Sequence, residues 1–111
     1  MNEIEVKVLK KVDVVKLSGR IDSSNAADFD AALKDLITKH RTHIVLDLST
    51  LDFMSSAGLR AMVAGLKSAR HGGGDVVIAQ PNERMVDTLK LIGFQSLFKH
   101  YDNVLDAVDA F

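Results

Sequence analysis

Two adjacent serines, Ser55 and Ser56, are the residues of this chain best suited to carry chemistry. Before them lies an apolar stretch, and after them hydrophobic residues recur at the spacing of one helical face: Leu59, Met62, Val63 and Leu66. The serines therefore fall where a helix begins, and there the first N–H groups lack partners within the helix. A hydroxyl caps such an end, and the positive end of the helix macrodipole would stabilise a phosphoryl group. The pattern predicts a switch site that tolerates either charge state.

A purely structural role for these serines is the main alternative. Serine is among the commonest residues at helix N-caps, where it contributes about 1 kcal/mol to stability. Gly58 also has two interpretations: its missing side chain lets the helix start pack closely against the sheet, or lets the backbone of a partner approach. Residue types alone leave both pairs of alternatives open.

The hydrophobic pattern also predicts the strands that position the serines. Aliphatic and charged residues alternate over residues 3–8, and a second apolar run follows over 12–17, so we expect an antiparallel hairpin at one edge of a sheet. Gly19 is predicted to end the second strand. The run from Ile44 to Leu48 is typical of a strand buried on both faces, and a short polar turn is expected between it and the serines.

Helices alternate with buried strands through the rest of the chain. We expect helices over about 25–39 and 55–71, a third opened by Pro81 and Asn82, and a last one after Asp102 or Asn103. A short strand covers 76–79. Such alternation implies parallel pairing after the antiparallel start. The predicted fold is therefore a single α/β domain over residues 1–111, with a small mixed sheet and about four helices.

Composition excludes several classes of protein. Hydrophobic residues make up 47% of the 111 residues and charged residues 26%, which is typical of a soluble globular domain. A net charge of −1 provides no positive field for a nucleic-acid backbone, and the absence of cysteine rules out thiolate and disulfide chemistry. No segment approaches the ~20 apolar residues that span a bilayer, and the N-terminus lacks an apolar signal core. We expect a cytoplasmic protein that neither binds nucleic acid nor inserts into membranes.

Catalytic and metal-binding roles have weaker support. The Gly-x-Ser-x-Gly elbow of hydrolases is absent, because Met54 stands two residues before Ser56. Asp47 lies in the central apolar strand and could act as a receiver-type phosphoacceptor. However, Lys10 and Lys11 stand after the first strand, where paired acidic residues would be needed to hold magnesium. The histidines show no spacing typical of metal ligands. We expect a protein that is not an enzyme and needs no metal or cofactor.

Three segments resemble one family. The segment 53–59, Phe-Met-Ser-Ser-Ala-Gly-Leu, resembles the signature of STAS domains that act as anti-sigma factor antagonists: aromatic, aliphatic, Asp or Ser, Ser, a small residue, Gly, Leu. The segment 17–22 is similar to the turn after the second strand of that family, and 91–98 is similar to a segment near its C-terminus. The three matches occur in the family's order, and the resemblance covers nearly the whole chain.

The resemblance implies a phosphorylated serine at Ser56, with Ser55 as the less favoured neighbour. Ser55 stands where many members carry aspartate, and Ala57 stands where serine or threonine often follows. It also implies a partner-binding surface made of two segments: Gly19, Arg20, Ile21 and Asp22, together with Met54, Ser55, Ser56, Ala57, Gly58 and Leu59. The residues alone favour a structural role for this turn, with Asp22 as a helix cap, over contact with a partner.

The family's partners are implied in the same way. They are a serine kinase of the histidine-kinase-like ATPase fold, which is also the anti-sigma factor, and a PP2C-type serine phosphatase. The implied function is that of a bacterial module for signal transduction and transcription regulation. It would bind the kinase when unphosphorylated and leave it when phosphorylated, which is called partner switching.

Two alternatives stay open beside partner switching. In the first, the chain is a constitutive scaffold or a subunit of a lipid-transport or stressosome-like complex, and Ser56 is only a cap. In the second, the chain is a receiver that is phosphorylated on Asp47.

Overall fold

Strands and helices alternate along most of the chain. A computed structural model describes residues 3–111. The strands are β1 (Ile4–Val8), β2 (Asp13–Ile21), β3 (His43–Met54), β4 (Asp75–Ala79) and β5 (His100–Tyr101). The helices are α1 (Ala26–Thr38), α2 (Ser56–His71), α3 (Glu83–Leu91) and α4 (Val104–Asp109).

The strands form one sheet in the order β1-β2-β3-β4-β5. Only β1 and β2 are antiparallel, and each later pair is parallel. This arrangement confirms the predicted α/β fold with an antiparallel N-terminal edge. Among residues 3–111, no helix is both long enough and apolar enough to cross a bilayer.

Hydrophobic side chains bury both faces of the sheet. On one face, Phe29 of α1, Met62 of α2 and Leu89 of α3 join the larger cluster, which also contains Leu46 of β3. On the other face, Ala107 of α4 packs in a second cluster. The aliphatic run in β3 is therefore covered on both sides, as its composition predicted.

β2 and β3 extend farther than the hydrophobic pattern predicted. The expected polar turn after Leu48 is wrong, because β3 continues to Met54. Gly19 does not end β2 either: it has a φ of +66° inside the strand, next to a shift in register. The polar pair Ser18 and Thr50 continues the ladder, and their side-chain oxygens lie 2.8 Å apart.

The turn between β2 and α1 is built differently from the expected helix cap. The carboxylate of Asp22 accepts hydrogen bonds from the backbone and hydroxyl of Ser24, so its predicted role as a side-chain cap is wrong. Asn25 occupies the N-cap position without a side-chain cap bond. Its side chain instead accepts from the Asp22 amide and donates to the Arg20 carbonyl. Asn25 thereby fixes the shape of the turn.

Candidate functional site

Ser55 is the single residue between the end of β3 and the start of α2. Its Oγ accepts a hydrogen bond from the Gly58 amide over 3.3 Å, which satisfies one of the free N–H groups of the helix start. Its own amide donates to the Ile21 carbonyl over 2.7 Å. The hydroxyl and amide of Ser55 are therefore both engaged in holding α2 to the end of β2.

Ser56 is the first residue of α2, and its side chain is exposed. The first turn of α2 contains no acidic residue. Arg60, four residues farther along, is also exposed, and residues at this spacing lie on one face of a helix. A phosphoryl group on Ser56 would lie beside free backbone N–H groups and on the same face as a guanidinium. The local electrostatics therefore suit either the free or the phosphorylated hydroxyl.

Four residues of the predicted partner surface are buried: Ile21, Met54, Gly58 and Leu59. A Cβ added to Gly58 would lie 2.7 Å from Cγ of Met54 and 2.8 Å from Cγ2 of Ile21. Close packing of the helix start therefore explains this glycine, and Met54 packs in the core. Ile21 and Met54 end the extended strands β2 and β3, and Gly58 and Leu59 lie on the buried side of α2. These four residues support the exposed surface from the core.

The turn after β2 carries a stabilised negative charge. Asp22 Oδ1 accepts hydrogen bonds from the amide of Ser24 over 2.9 Å and from its Oγ over 2.6 Å. Nε of Arg20 lies 3.9 Å from the other carboxylate oxygen. The Ser24 hydroxyl, its amide and the charge of Arg20 together hold the pKa of Asp22 below its usual value. The turn beside the serines therefore stays anionic at neutral pH.

The model of the STAS domain matches residues 3–107, which is nearly the whole chain. The chain belongs to the STAS domain family. Its signature residues span the junction of β3 and α2, and Ser56 is the exposed serine of that junction.

Named relatives of this STAS domain share one description. BtrV of Bordetella bronchiseptica, described as a candidate anti-sigma factor antagonist, is 32% identical over 93 residues, which cover 81% of this chain and 80% of the relative. An anti-sigma F factor antagonist of Paenibacillus polymyxa is 28% identical and covers 96% and 92% of the two chains. The crystal structure of a candidate anti-sigma factor antagonist from Thermotoga maritima superposes with a TM-score of 0.89 at 26% identity, over 96% of this chain and 92% of that chain.

Phe53 is an exposed residue of the STAS site whose role the sequence did not indicate. Its ring is 38% exposed, and the guanidinium of Arg20 lies 4.3 Å from the ring centroid. The two residues are neighbours across β2 and β3. A stacked cation and aromatic ring offer a preformed contact at the end of β3, the strand that leads to Ser56. The pairing could have been found only by extending both strands past the hydrophobic run.

A shallow groove between α1 and α2 adjoins the same corner of the STAS domain. Asp30, Arg60 and five alanines line it: Ala26, Ala27, Ala57, Ala61 and Ala64. Of the predicted partner residues, only Ala57 lies in it. Alanines at helical spacing are as typical of ordinary helix packing as of a groove, so the sequence carried no signal for it.

Asp47 lies away from this corner and in the middle of β3. It pairs with Lys16 of β2 and Ala79 of β4, is 8% exposed, and accepts a hydrogen bond from the Ser49 amide over 3.0 Å. A receiver needs its phosphoacceptor at the end of a strand beside further carboxylates. Within residues 3–111, no cluster of three or more His, Asp or Glu residues could hold a metal ion. The geometry therefore favours a structural role for Asp47.

Proposed function

We propose that this STAS domain protein is an anti-sigma factor antagonist that binds its regulator when Ser56 is free and leaves it when Ser56 is phosphorylated. The family match and the names of its relatives support the antagonist role. One observation supports the switch: the Ser55 hydroxyl is occupied as a helix cap, whereas the Ser56 side chain is exposed at the first position of α2.

The partner in this proposal is a serine kinase of the histidine-kinase-like ATPase fold, which is also the anti-sigma factor. The docking surface would combine the exposed Arg20, Phe53 and Ser56 with the groove between α1 and α2. Arginine and aromatic residues are enriched among the residues that contribute most to binding at protein interfaces, and Arg20 is already stacked on the Phe53 ring. The rest of the surface would provide shape complementarity.

Phosphorylation would act mainly through charge. The γ-phosphoryl group of ATP, held by the kinase, passes to Oγ of Ser56. The serine hydroxyl gives up its proton to the solvent, the bond to the β-phosphate breaks, and ADP leaves. The product carries about −1.5 to −2 charge and three strong acceptor oxygens. Arg60 and the free N–H groups would neutralise part of this charge without rebuilding the helix. A partner shaped to the neutral hydroxyl would then lose its close contact, and a PP2C-type phosphatase would restore it.

Intact-mass measurement and peptide mapping test the site directly. The protein is incubated with ATP and a purified kinase of the proposed fold from the same organism. We expect one phosphate per chain on Ser56, none in the Ser56→Ala variant, and continued phosphorylation of Ser55→Ala. Phosphate on another residue, or a Ser56→Ala variant labelled as fully as the parent, would contradict the proposal.

A further inference from the structure

One side of β1 is open. β1 pairs with β2 on its other side, and no strand among residues 3–111 covers the open side. The Glu3 carbonyl accepts from the Ser18 amide over 2.8 Å, and the Leu9 amide donates to the Val12 carbonyl over 3.0 Å. Odd-numbered residues of this strand therefore bond to β2. Ile4, Val6 and Val8 direct their N–H and C=O groups to the open edge.

The open edge also exposes apolar side chains. Val6 is 41% exposed and Val8 is 60% exposed, and both belong to the same face of the strand as Ile4. The strand contains no proline, and its register with β2 is regular throughout. Proline, bulges and inward-pointing charges prevent edge pairing, and β1 contains none of them. The strand is short and exposes two charges, but Glu5 and Lys7 have opposite signs and can therefore pair with the charges of a second strand.

We propose that this edge binds the same edge of a second copy of the chain, antiparallel, with Val6 on the two-fold axis. In this register Val6 faces Val6 of the second copy, and Ile4 faces Val8. These are the residues with free backbone groups, so each such pair exchanges two hydrogen bonds. The interface is isologous, as most dimer interfaces are.

Charge complementarity selects this register. With Val6 on the axis, Glu5 lies opposite Lys7 of the second copy, and Lys7 lies opposite Glu5. A shift of two residues in one direction keeps the hydrogen bonds but places Glu5 opposite Glu5, and the other shift places Lys7 opposite Lys7. Like charges directly opposite destabilise a strand pair, whereas opposite charges stabilise it. A shift of one residue loses the hydrogen bonds, because bonded and unbonded positions alternate.

The two faces of the joined sheets also match. Val6 is paired with Val15, a member of the larger core, and Ile4 packs against that core. Dimerisation would place the exposed valines of two copies side by side and extend both cores across the axis. Because only five residues of β1 take part, the interface belongs to the small class below about 1,200 Å². We therefore expect a weak dimer with a dissociation constant of roughly 10–100 µM.

This dimer is independent of the proposed switch, since β1 lies at the edge of the sheet and Ser56 follows the central strand β3. Sedimentation equilibrium of the full chain from about 10 µM to about 1 mM tests it. We expect the average mass to rise from the monomer towards twice that value. Lys7→Glu and Glu5→Lys should each remain monomeric over the whole range, because each places like charges opposite one another.

Two experiments distinguish this register from other contacts: mixing the two charge variants, and exchanging the charges at positions 5 and 7 within one chain. An equimolar mixture of the Lys7→Glu and Glu5→Lys variants should form a heterodimer, and the double swap Glu5→Lys/Lys7→Glu should dimerise like the parent. Lys67→Glu, with the same change in charge on the exposed surface of α2, is the matched control and should dimerise normally. A parent that stays monomeric at about 1 mM, or a dimer that survives Lys7→Glu, would overturn the proposal.

Amide exchange in the parent keeps the test decisive if a variant fails to fold. The Val6 and Val8 amides point to the open edge, so their exchange should slow by at least about 5-fold as concentration rises through the dimerisation range. The amides of Glu5 and Lys7, already bonded to β2, should change less. Equal exchange of the Val6 amide at low and high concentration would overturn the proposal.

Discussion

The amide nitrogen of Ser55 donates a hydrogen bond to the carbonyl oxygen of Ile21 over 2.7 Å. This bond joins the last residue of β2 to the N-cap of α2. Ile21 is also paired in register with Met54, so the ends of the two strands and the helix start form one frame. A partner that contacts both the Asp22 turn and Ser56 would therefore meet a preformed surface and lose little binding energy in ordering it.

The two serines should differ in their contribution to folding. Ser55→Ala removes the acceptor of the Gly58 amide and should lower the free energy of unfolding by about 1 kcal/mol. Ser56→Ala removes an exposed side chain and should change it by less than about 0.5 kcal/mol. Urea denaturation of both variants measures the difference. Equal losses would mean that Ser56 also supports the helix.

Gly58 should tolerate alanine poorly. The new Cβ would overlap Met54 and the stiff, branched side chain of Ile21, which should cost about 1–3 kcal/mol. Gly65→Ala is the control within the same helix: its Cβ would overlap a single atom, the terminal Cδ1 of the flexible Leu33 side chain at 2.6 Å, and would meet the rest of Leu33 at ordinary contact distance. The substitution also gains helix propensity. Thermal unfolding should show a clear loss for the first variant and a small change for the second. The reverse order would contradict the packing described for the helix start.

An ion pair between the partly exposed Arg41 and a buried carboxylate joins the β1–β2 hairpin to the segment just before β3. Nε and Nη2 of Arg41 each lie 2.7 Å from a carboxylate oxygen of the fully buried Asp13. Arg41→Ala would leave that buried carboxylate without its partner and should lower the free energy of unfolding clearly more than the loss of an exposed ion pair. Lys39→Ala removes an exposed pair with Asp35 and should cost less than about 0.5 kcal/mol. Similar losses of unfolding free energy in the two variants would be inconsistent with this account.

The Asp22 turn should respond to acid. Its carboxyl pKa is below the ordinary value of 3.8, chiefly because of the Ser24 hydroxyl. A lowered folded-state pKa stabilises the protein above the unfolded pKa, and this contribution is lost as the pH falls through the folded pKa. Ser24→Ala should therefore raise the pKa of Asp22 towards 3.8, and Arg20→Gln should raise it less. NMR titration of the carboxyl carbon measures both, and a parent value at or above 3.8 would contradict the hydrogen-bond geometry.

The sequence carried enough information to predict how α2 begins. An aliphatic run before the serines and a helical repeat after them reflect local rules of burial and capping, and the structure confirms α2 from Ser56 to His71. The hairpin of β1 and β2 was predictable for the same reason. Each of the two patterns is local, because the residues that form it lie close to one another along the chain.

The extension of β2 and β3 was not predictable in this way. Ser18 and Thr50 are polar, but each supports the other across strands that are 32 residues apart in sequence. Asp13 and Arg41 are likewise matched over a separation of 28 residues. None of these four residues has a recognisable pattern in its neighbouring sequence, because each interaction exists only after the sheet has formed. The burial of Met54 and the exposed pair of Arg20 and Phe53 follow from the same long-range pairing.

The central claim is tested most directly by using isothermal titration calorimetry to measure how tightly the purified kinase binds variants of Ser56. Ser56→Asp adds a charge at a helix N-terminus, which should preserve or slightly raise stability, so lost binding would not reflect unfolding. Ser56→Asn is the neutral control, and Ser68→Asp adds the same charge at an exposed position near the other end of α2. We predict that the parent and both controls bind alike and that Ser56→Asp binds at least about 100-fold more weakly. Equal affinity of Ser56→Asp and the parent would contradict a switch at Ser56.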